Sequence, residues 1–445
     1  MLAWFWRLIG VRPPASAQAT LARAVPAHAD AVSAAPRSDA ATSASAAAPP
    51  AYGLRRPLVG RSGSVEAFEL QLPAATARRL ADDVASASAA AHQMALLATA
   101  ARLAAGGSRV MVGLPAQLLS REAVVAAVPA GTMLLLPNLG ELPEAVSGAL
   151  RARGVQLGVP DGPPVAHLMV DFVVLQAQTD GLDTVLLSAQ RWRERWPQIK
   201  VVVLGLANAG EVEKALSAGA YLAAGALAGT AQLVPASRPL GSAAHRICEL
   251  LNHLALDRDL NLLADAVRAD VALAWRLLRY ANSAAIGLAV PADSVERAVQ
   301  VLGRGELVRW LSVQLLAAAE ARQVSPALQQ SALARGRLLE TLARFSGRAD
   351  PASAFTLGLL SYGEPLLQMT LADALAPLRL SADVNAALLQ RRGPLADWLL
   401  LAEAVESGAA EAVQEVGARL GVEGAISAHT EAAWEWAAAL SGPEA

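Results

Sequence analysis

The chain lacks most of the residues that disulfide-stapled, metal-rich or nucleic-acid-binding proteins depend on. One cysteine, Cys248, stands in 445 residues. That excludes an internal disulfide framework and agrees with a reducing compartment. Lysine is almost absent, and 37 Lys plus Arg against 39 Asp plus Glu leave a formal net charge of -2 with no basic stripe. Nucleic-acid binders carry an electrostatic footprint, so no DNA or RNA partner is expected. No charge-free run of 18 or more bulky apolar residues occurs, and no transmembrane helix is expected. The 54% hydrophobic content is largely alanine, which is weakly apolar and a strong helix former. The composition reads as a soluble, cytoplasmic chain.

Length alone suggests two domains and a tail. Residues 1–10, Met-Leu-Ala-Trp-Phe-Trp-Arg-Leu-Ile-Gly, are apolar and aromatic. They make a poor secretory signal, because no basic residue precedes a short apolar run that Arg7 interrupts. An interfacial anchor or a partner-docking segment stays open for this decapeptide. From 11 to about 51 the chain is Ala, Pro, Ser and Thr with almost no large apolar residue. Such a segment cannot bury enough surface to offset its ordering entropy, and residues 1–51 are expected to form a disordered tail.

Residues 52–235 alternate short apolar runs with helical patterns. Strands are expected at Glu66–Leu72, Arg109–Leu114, Thr132–Leu136, Val155–Val159, His167–Leu175, Lys200–Leu206 and Tyr221–Leu227. Runs such as Val201 to Leu206 are apolar on both faces, as buried parallel strands must be. Helices are expected between them, including Arg78–Ala105, Ser120–Val128, Glu141–Arg153, Asp183–Trp196 and Glu211–Ala218. Repeated βα units point to an α/β barrel or a doubly wound sheet. Residues 240–442 show helical periodicity alone, with a stop and restart at Gly303 and Gly305. No fixed period recurs, so this half reads as an all-α bundle and not a solenoid.

The phrase Ala269 to Gly287, ADVALAWRLLRYANSAAIG, resembles the signature of HDOD domains, the non-catalytic relatives of HD phosphohydrolases. Ser294 to Gly303 and Ala354 to Leu360 continue the similarity, which spans about 245–405. The preceding half resembles the truncated EAL-type barrel of bacterial EAL–HDOD signalling proteins, through its βα order and a few positions. The resemblance implies a degenerate TIM-like barrel followed by an HDOD domain. Asn282, Ser283, Gly287 and Gly303 are the signature residues, read as structural.

Active EAL domains hydrolyse cyclic di-GMP with divalent metals held by carboxylates and an Asn. Hard cations need several oxygen ligands at one point. Matched to that pattern, Glu69, Asp161 and Asp171 survive. Gly113 replaces the Asn, Pro137 or Asn138 a Glu, Pro160 one Asp of a pair, Met169 the Lys, and Leu204 marks the strand that lost its last Glu. The resemblance therefore implies no catalytic residue, no bound metal and no cofactor. The plain reading of each surviving acid is a turn or strand-end carboxylate. Gly162 and Ala224 replace further positions that line the pocket in active relatives.

HD hydrolases need His residues and a His-Asp pair. Ser361-Tyr362 follows Gly358-Leu-Leu where that pair would stand, and no His occurs between His253 and His429. His245 and His253 flank Cys248 at spacings that match no standard zinc pattern. Trp275, Trp310, Trp398, Trp434 and Trp436 read as core or interface anchors. Trp434 and Trp436, two apart on one helix, cannot share a face, so one of them is expected to be exposed. The expected function is non-catalytic regulation through protein partners, mainly by the helical domain. The alternatives are a cyclic di-GMP receptor without turnover and, behind it, residual phosphodiesterase activity.

Overall fold

The computed structural model describes residues 55–72, 74–81, 83, 86–137, 139–161, 170–229, 240–283, 286, 288, 291–318 and 323–441. The expected tail (1–51) and decapeptide lie outside these residues, as do Asn138, Gly162, Met169 and Gly287. Eight strands close a barrel in sequence order: β1 Arg55–Gly60, β2 Val65–Leu70, β3 Arg109–Gly113, β4 Met133–Leu135, β5 Gln156–Pro160, β6 Phe172–Gln176, β7 Lys200–Leu206 and β8 Leu222–Gly225. β1 runs antiparallel to both neighbours, β2 and β8, while every other pair is parallel. The sequence reading missed β1, because its Arg-Arg-Pro start lacks the apolar run by which the other strands announce themselves. The tight turn at residues 61–64 then makes it a hairpin with β2, and its second edge seals the barrel.

Among the described residues seven helices accompany the strands: α1 Ala74–Ala81, α2 Ala87–Ala105, α3 Glu122–Ala127, α4 Glu144–Ala152, α5 Ala177–Asp180, α6 Leu182–Arg195 and α7 Ala209–Ser217. The single helix expected over Arg78–Ala105 is two, because Ser86 caps a new start by accepting the Ala89 N–H. Inward residues alternate with outward ones along each strand. Leu58, Ala67, Met111, Met133, Phe172, Val202 and Leu222 fill the barrel interior. Gly158 makes room there, since a Cβ at this position would fall 2.2 Å from the Phe172 ring. Outward residues such as Val173, Val201 and Val203 pack on Val185, Ala189 and Val212 of the surrounding helices. Val112, Leu134 and Leu157 do the same against Leu96, Leu97 and Leu103.

The second half is helical: α8 Ser242–Ala255, α9 Leu260–Arg268, α10 Val271–Ala281, α11 Val295–Ala317, α12 Ser325–Ser346, α13 Pro351–Leu360, α14 Gly363–Leu367, α15 Leu371–Leu375, α16 Ala382–Gln390, α17 Ala396–Ser407, α18 Ala410–Leu420 and α19 Ile426–Ser441. Gly303 breaks α11 into two at φ 69 and ψ 172, a conformation that suits glycine. α14 was not expected. Gly336 on α12 and Gly358 on α13 let those helices cross closely, because a Cβ on Gly358 would meet the Gly336 backbone at 2.8 Å.

The two halves share one core. Val59, Phe68 and Leu206 of the barrel belong to the same buried cluster as Leu328, Phe355, Leu359 and Trp434. Trp434 meets Phe68 edge-on at 5.1 Å, and Trp436 meets Phe355 at 6.4 Å. Trp434 is buried and Trp436 half-buried, so the expectation from their spacing is met only in part. Among the described residues the exposed tryptophan is Trp275, at 59%. Polar ties cross the same boundary. Arg55 Nη2 donates to the carbonyls of Thr430 at 3.2 Å and Glu431 at 3.0 Å, and Ala327 N donates to the Gly63 carbonyl at 3.0 Å. Among the described residues no helix is long and apolar enough to cross a membrane.

Candidate functional site

An α/β barrel presents its functional groups at the C-terminal ends of its strands, where loops converge. Here that end holds a cleft of about 450 Å³ whose walls come from both domains. The barrel contributes Arg55, Arg56, Glu69, Gln71, Gln93, Gly113 and Gln178, and the end of α17 contributes Val405, Glu406, Ser407 and Gly408.

Glu69 is the acid at this mouth. The β1–β2 register sets Arg56 opposite Glu69, and Arg56 Nη1 donates to Glu69 Oε2 at 3.1 Å. Gln71, on the same face two residues on, donates from Nε2 to Oε1. Glu69 is only 4% exposed. Burial holds its carboxyl above the ordinary value near 4.5, and the attraction of Arg56 only partly opposes that rise. The native state therefore keeps this proton at pH values where the unfolded chain has released it. Stability is lost as pH rises from the ordinary value through the folded one. A Glu69→Gln variant is expected to gain on the wild type across that window. Urea midpoints of both proteins measured from pH 4 upward check this, and a difference that stays flat or shrinks with pH contradicts it.

The other two surviving acids do not join Glu69. Asp161 follows β5 and turns outward, where its Oδ1 accepts from the indole Nε1 of Trp192 on α6 at 3.0 Å. Asp171 sits before β6, at the N-terminal end of the barrel. Its Oδ2 accepts from Leu157 N at 2.7 Å and its Oδ1 from Arg151 Nη1 at 3.1 Å. β6 starts at Phe172 and carries Gln176, not Asp171, to the mouth. Of the strand expected over His167–Leu175, residues 167–169 lie outside the described residues, and Val170 and Asp171 precede β6, so this acid is not at the mouth.

Gly113 lines the cleft, Leu204 and Ala224 are buried in the barrel interior, and Pro160 shares the inward face of β5 with Gly158. Among the described residues no group of three or more His, Cys, Asp or Glu side chains could hold a metal. A divalent metal does not fit this mouth. Among the described residues its donors would be two carboxylates, Glu69 already matched by Arg56 and Glu406 by Arg335, and a set of neutral amides.

Ser361-Tyr362, at the end of α13, belongs to a second polar cluster. Arg335, 3% exposed on α12, donates from Nε to Glu406 Oε1 at 2.7 Å and from Nη1 to Ser361 Oγ at 2.6 Å. Tyr362 OH donates to Glu406 Oε2 at 3.1 Å, and the guanidinium lies 4.4 Å over its ring. Burial first, then the Glu406 charge, push the phenol above its ordinary value, so it stays a donor. Glu406 thus belongs to both this cluster and the cleft.

Asn282 caps α10 and ties its end to Ala292, exchanging hydrogen bonds at 2.8 and 2.6 Å. Ser283 is buried beside it. Cys248 is buried in the helical core, and burial raises its thiol to about 11. His245 faces Glu249 at 3.6 Å and His253 faces Arg258, so the two histidines do not meet at the sulfur.

Sequence reasoning missed Arg56, Gln71, Gln93 and Glu406. Gln71 was within reach, because strand period places it on the face of Glu69. Arg56 was lost with β1. Nothing local marks Glu406, which only the packing of α17 over the barrel brings to Glu69.

Residues 239–393 match the family model described as the HDOD domain. The chain is 27% identical over 191 residues to the "Uncharacterized protein YuxH" of Bacillus subtilis, covering 42% of this chain and 46% of that protein. It is 27% identical over 158 residues to the cyclic di-GMP phosphodiesterase CdgJ of Vibrio cholerae, covering 35% and 36%. In both cases the matched part is less than half of the relative's own length.

Among solved structures, Klebsiella pneumoniae BlrP1 in a calcium and cyclic di-GMP complex overlaps 40% of this chain and 56% of its own, at 16% identity and TM-score 0.30. An EAL domain protein from Listeria monocytogenes overlaps 38% and 84%, at 15% identity and TM-score 0.31. Overlaps this loose carry no conclusion about ligands.

Proposed function

We propose that this chain, with its HDOD domain after an EAL-like barrel, is a catalytically silent signalling protein that acts in the cytoplasm through protein contacts of its helical half. The working division is a tail at 1–51, a degenerate barrel at 52–235 and a helical domain at 240–442. The observation that carries this reading is the dispersal of the three acids. Glu69 faces the mouth beside an arginine, Asp161 faces Trp192, and Asp171 ties down the opposite end of the barrel. Metal-assisted hydrolysis needs such carboxylates convergent on one ion or ion pair. In the helical half, Ser361 and Tyr362 serve the Arg335–Glu406 pair and present no imidazole. Asn282, Ser283, Gly287 and Gly303 are assigned structural roles in that scaffold.

The name of one relative, a cyclic di-GMP phosphodiesterase, supports a circuit near cyclic di-GMP for this chain. A receptor without turnover is the second reading, favoured by the open cleft and its arginines. Against it, a phosphodiester entering the mouth meets the carboxylates of Glu69 and Glu406.

Photo-cross-linking of the full chain in its own cells tests the main reading. Amine-directed reagents would be blind to the helical half, because the lysines, Lys200 and Lys214, both lie in the barrel. The expected result is a partner linked to residues within 240–441. Links confined to the barrel helices would move the function there.

A further inference from the structure

The cleft between barrel mouth and α17 is constructed like a binding site, yet silent signalling by the helical half gives it no task. Its volume of about 450 Å³ lies within the range of small-molecule pockets, which favour domain boundaries. Four charged side chains line it, Arg55, Arg56, Glu69 and Glu406, whose own formal charges cancel, with Arg56 paired to Glu69 and Arg335 behind Glu406. A phosphate group would meet two carboxylates, and a metal ion would meet two guanidiniums. A balanced wall instead suits a ligand that is neutral overall and carries both signs.

Two lining side chains are also incompletely satisfied. Gln93 is 7% exposed, and its Oε1 is buried without a hydrogen-bond partner. The buried Nε of Arg55 is likewise unpartnered. An unmet buried polar atom costs about 1–3 kcal/mol. One orphan is an acceptor and the other a donor, so the wall of the cleft is backed by polar groups of both kinds that the fold leaves unpaired. Gln71 and Gln178 add amides that can serve either role.

We propose that this cleft binds a small zwitterion of the α-amino acid class, its carboxylate toward the Arg55–Arg56 wall and its ammonium toward Gln93, Glu69 and Glu406. The site goes beyond the silent-signalling reading and does not depend on which protein partner the helical half engages.

Calorimetry and thermal unfolding of the full chain with each of the twenty L-α-amino acids test it. Acetate and methylammonium serve as the two half-ligands. The expected result is saturable binding of at least one amino acid, with a raised Tm, and no response to either half alone. Gln93→Leu is expected to weaken that binding about tenfold or more, a loss of about 1.4 kcal/mol. The same variant should leave the Tm of the unliganded protein unchanged or higher, since it removes an unmet buried oxygen. Glu69→Gln provides a second variant with the same expected loss of affinity. No binding by any amino acid up to about 10 mM, or equal affinity in wild type and both variants, overturns the proposal. Neither result bears on dinucleotide turnover, so this site and the silent-signalling reading can fail separately.

Discussion

Replacing Arg335 with alanine is expected to cost about 2–4 kcal/mol of stability, somewhat less than the loss of one partner from a fully buried ion pair, because Glu406 is 31% exposed and can be hydrated. Arg335 is 3% exposed and serves three neighbours at once, with two bonds to Glu406, one to Ser361 and a face-on contact with Tyr362. Its loss leaves Glu406 with Tyr362 alone, takes one of the two partners of Ser361 Oγ and opens a hole between α12, α13 and α17. Urea unfolding followed by far-UV circular dichroism measures the change. Replacing both partners together, Arg335→Met with Glu406→Leu, is expected to recover much of the loss, because no unpaired charge is then left behind. A single Arg335→Ala variant within about 0.5 kcal/mol of wild type would mean that the cluster is not holding α12, α13 and α17 together.

Trp434→Ala is expected to have an effect of similar size, about 3–5 kcal/mol, as large-to-small changes of buried tryptophan do. Trp434 is 7% exposed, packs edge-on against Phe68 and lies under the Arg55 guanidinium at 5.8 Å. It is therefore the rivet between α19 and the first two strands. Arg55 depends on it, since burial already pulls that guanidinium down to about 10, and beside the opposing charges of Glu431 and Glu435 it has two backbone carbonyls and two aromatic faces. Wild-type protein is expected to unfold in one transition, and Trp434→Ala in two, with barrel and helical half coming apart. Trp275→Ala is the control. At 59% exposure it should stay within about 0.5 kcal/mol of wild type. Equal effects of the two substitutions would contradict the shared core.

Much of the architecture was legible because period and burial agree. Val201 to Leu206 is apolar on both faces and lies in the barrel wall with helices outside it. α16 falls at Ala382–Gln390 as its pattern demands. What escaped was structure that depends on closure. β1 carries two arginines and a proline, and only its pairing with β2 and β8 makes it a strand. The same holds at the mouth. Glu69 could be found from its strand phrase, but its neutralisation by Arg56 needed β1, and Glu406 needed the docking of α17. Asp171 shows the opposite error, a familiar residue type assigned to the wrong end of a strand, since it precedes β6.

Chemical silence at the barrel mouth is what separates this protein from a metal-dependent hydrolase. Purified full-length protein incubated with cyclic di-GMP and either Mg²⁺ or Mn²⁺ measures that directly. The dispersal of Glu69, Asp161 and Asp171 predicts that the dinucleotide is recovered intact. A linearised product forming above the protein-free rate, and abolished by Glu69→Gln, would contradict it.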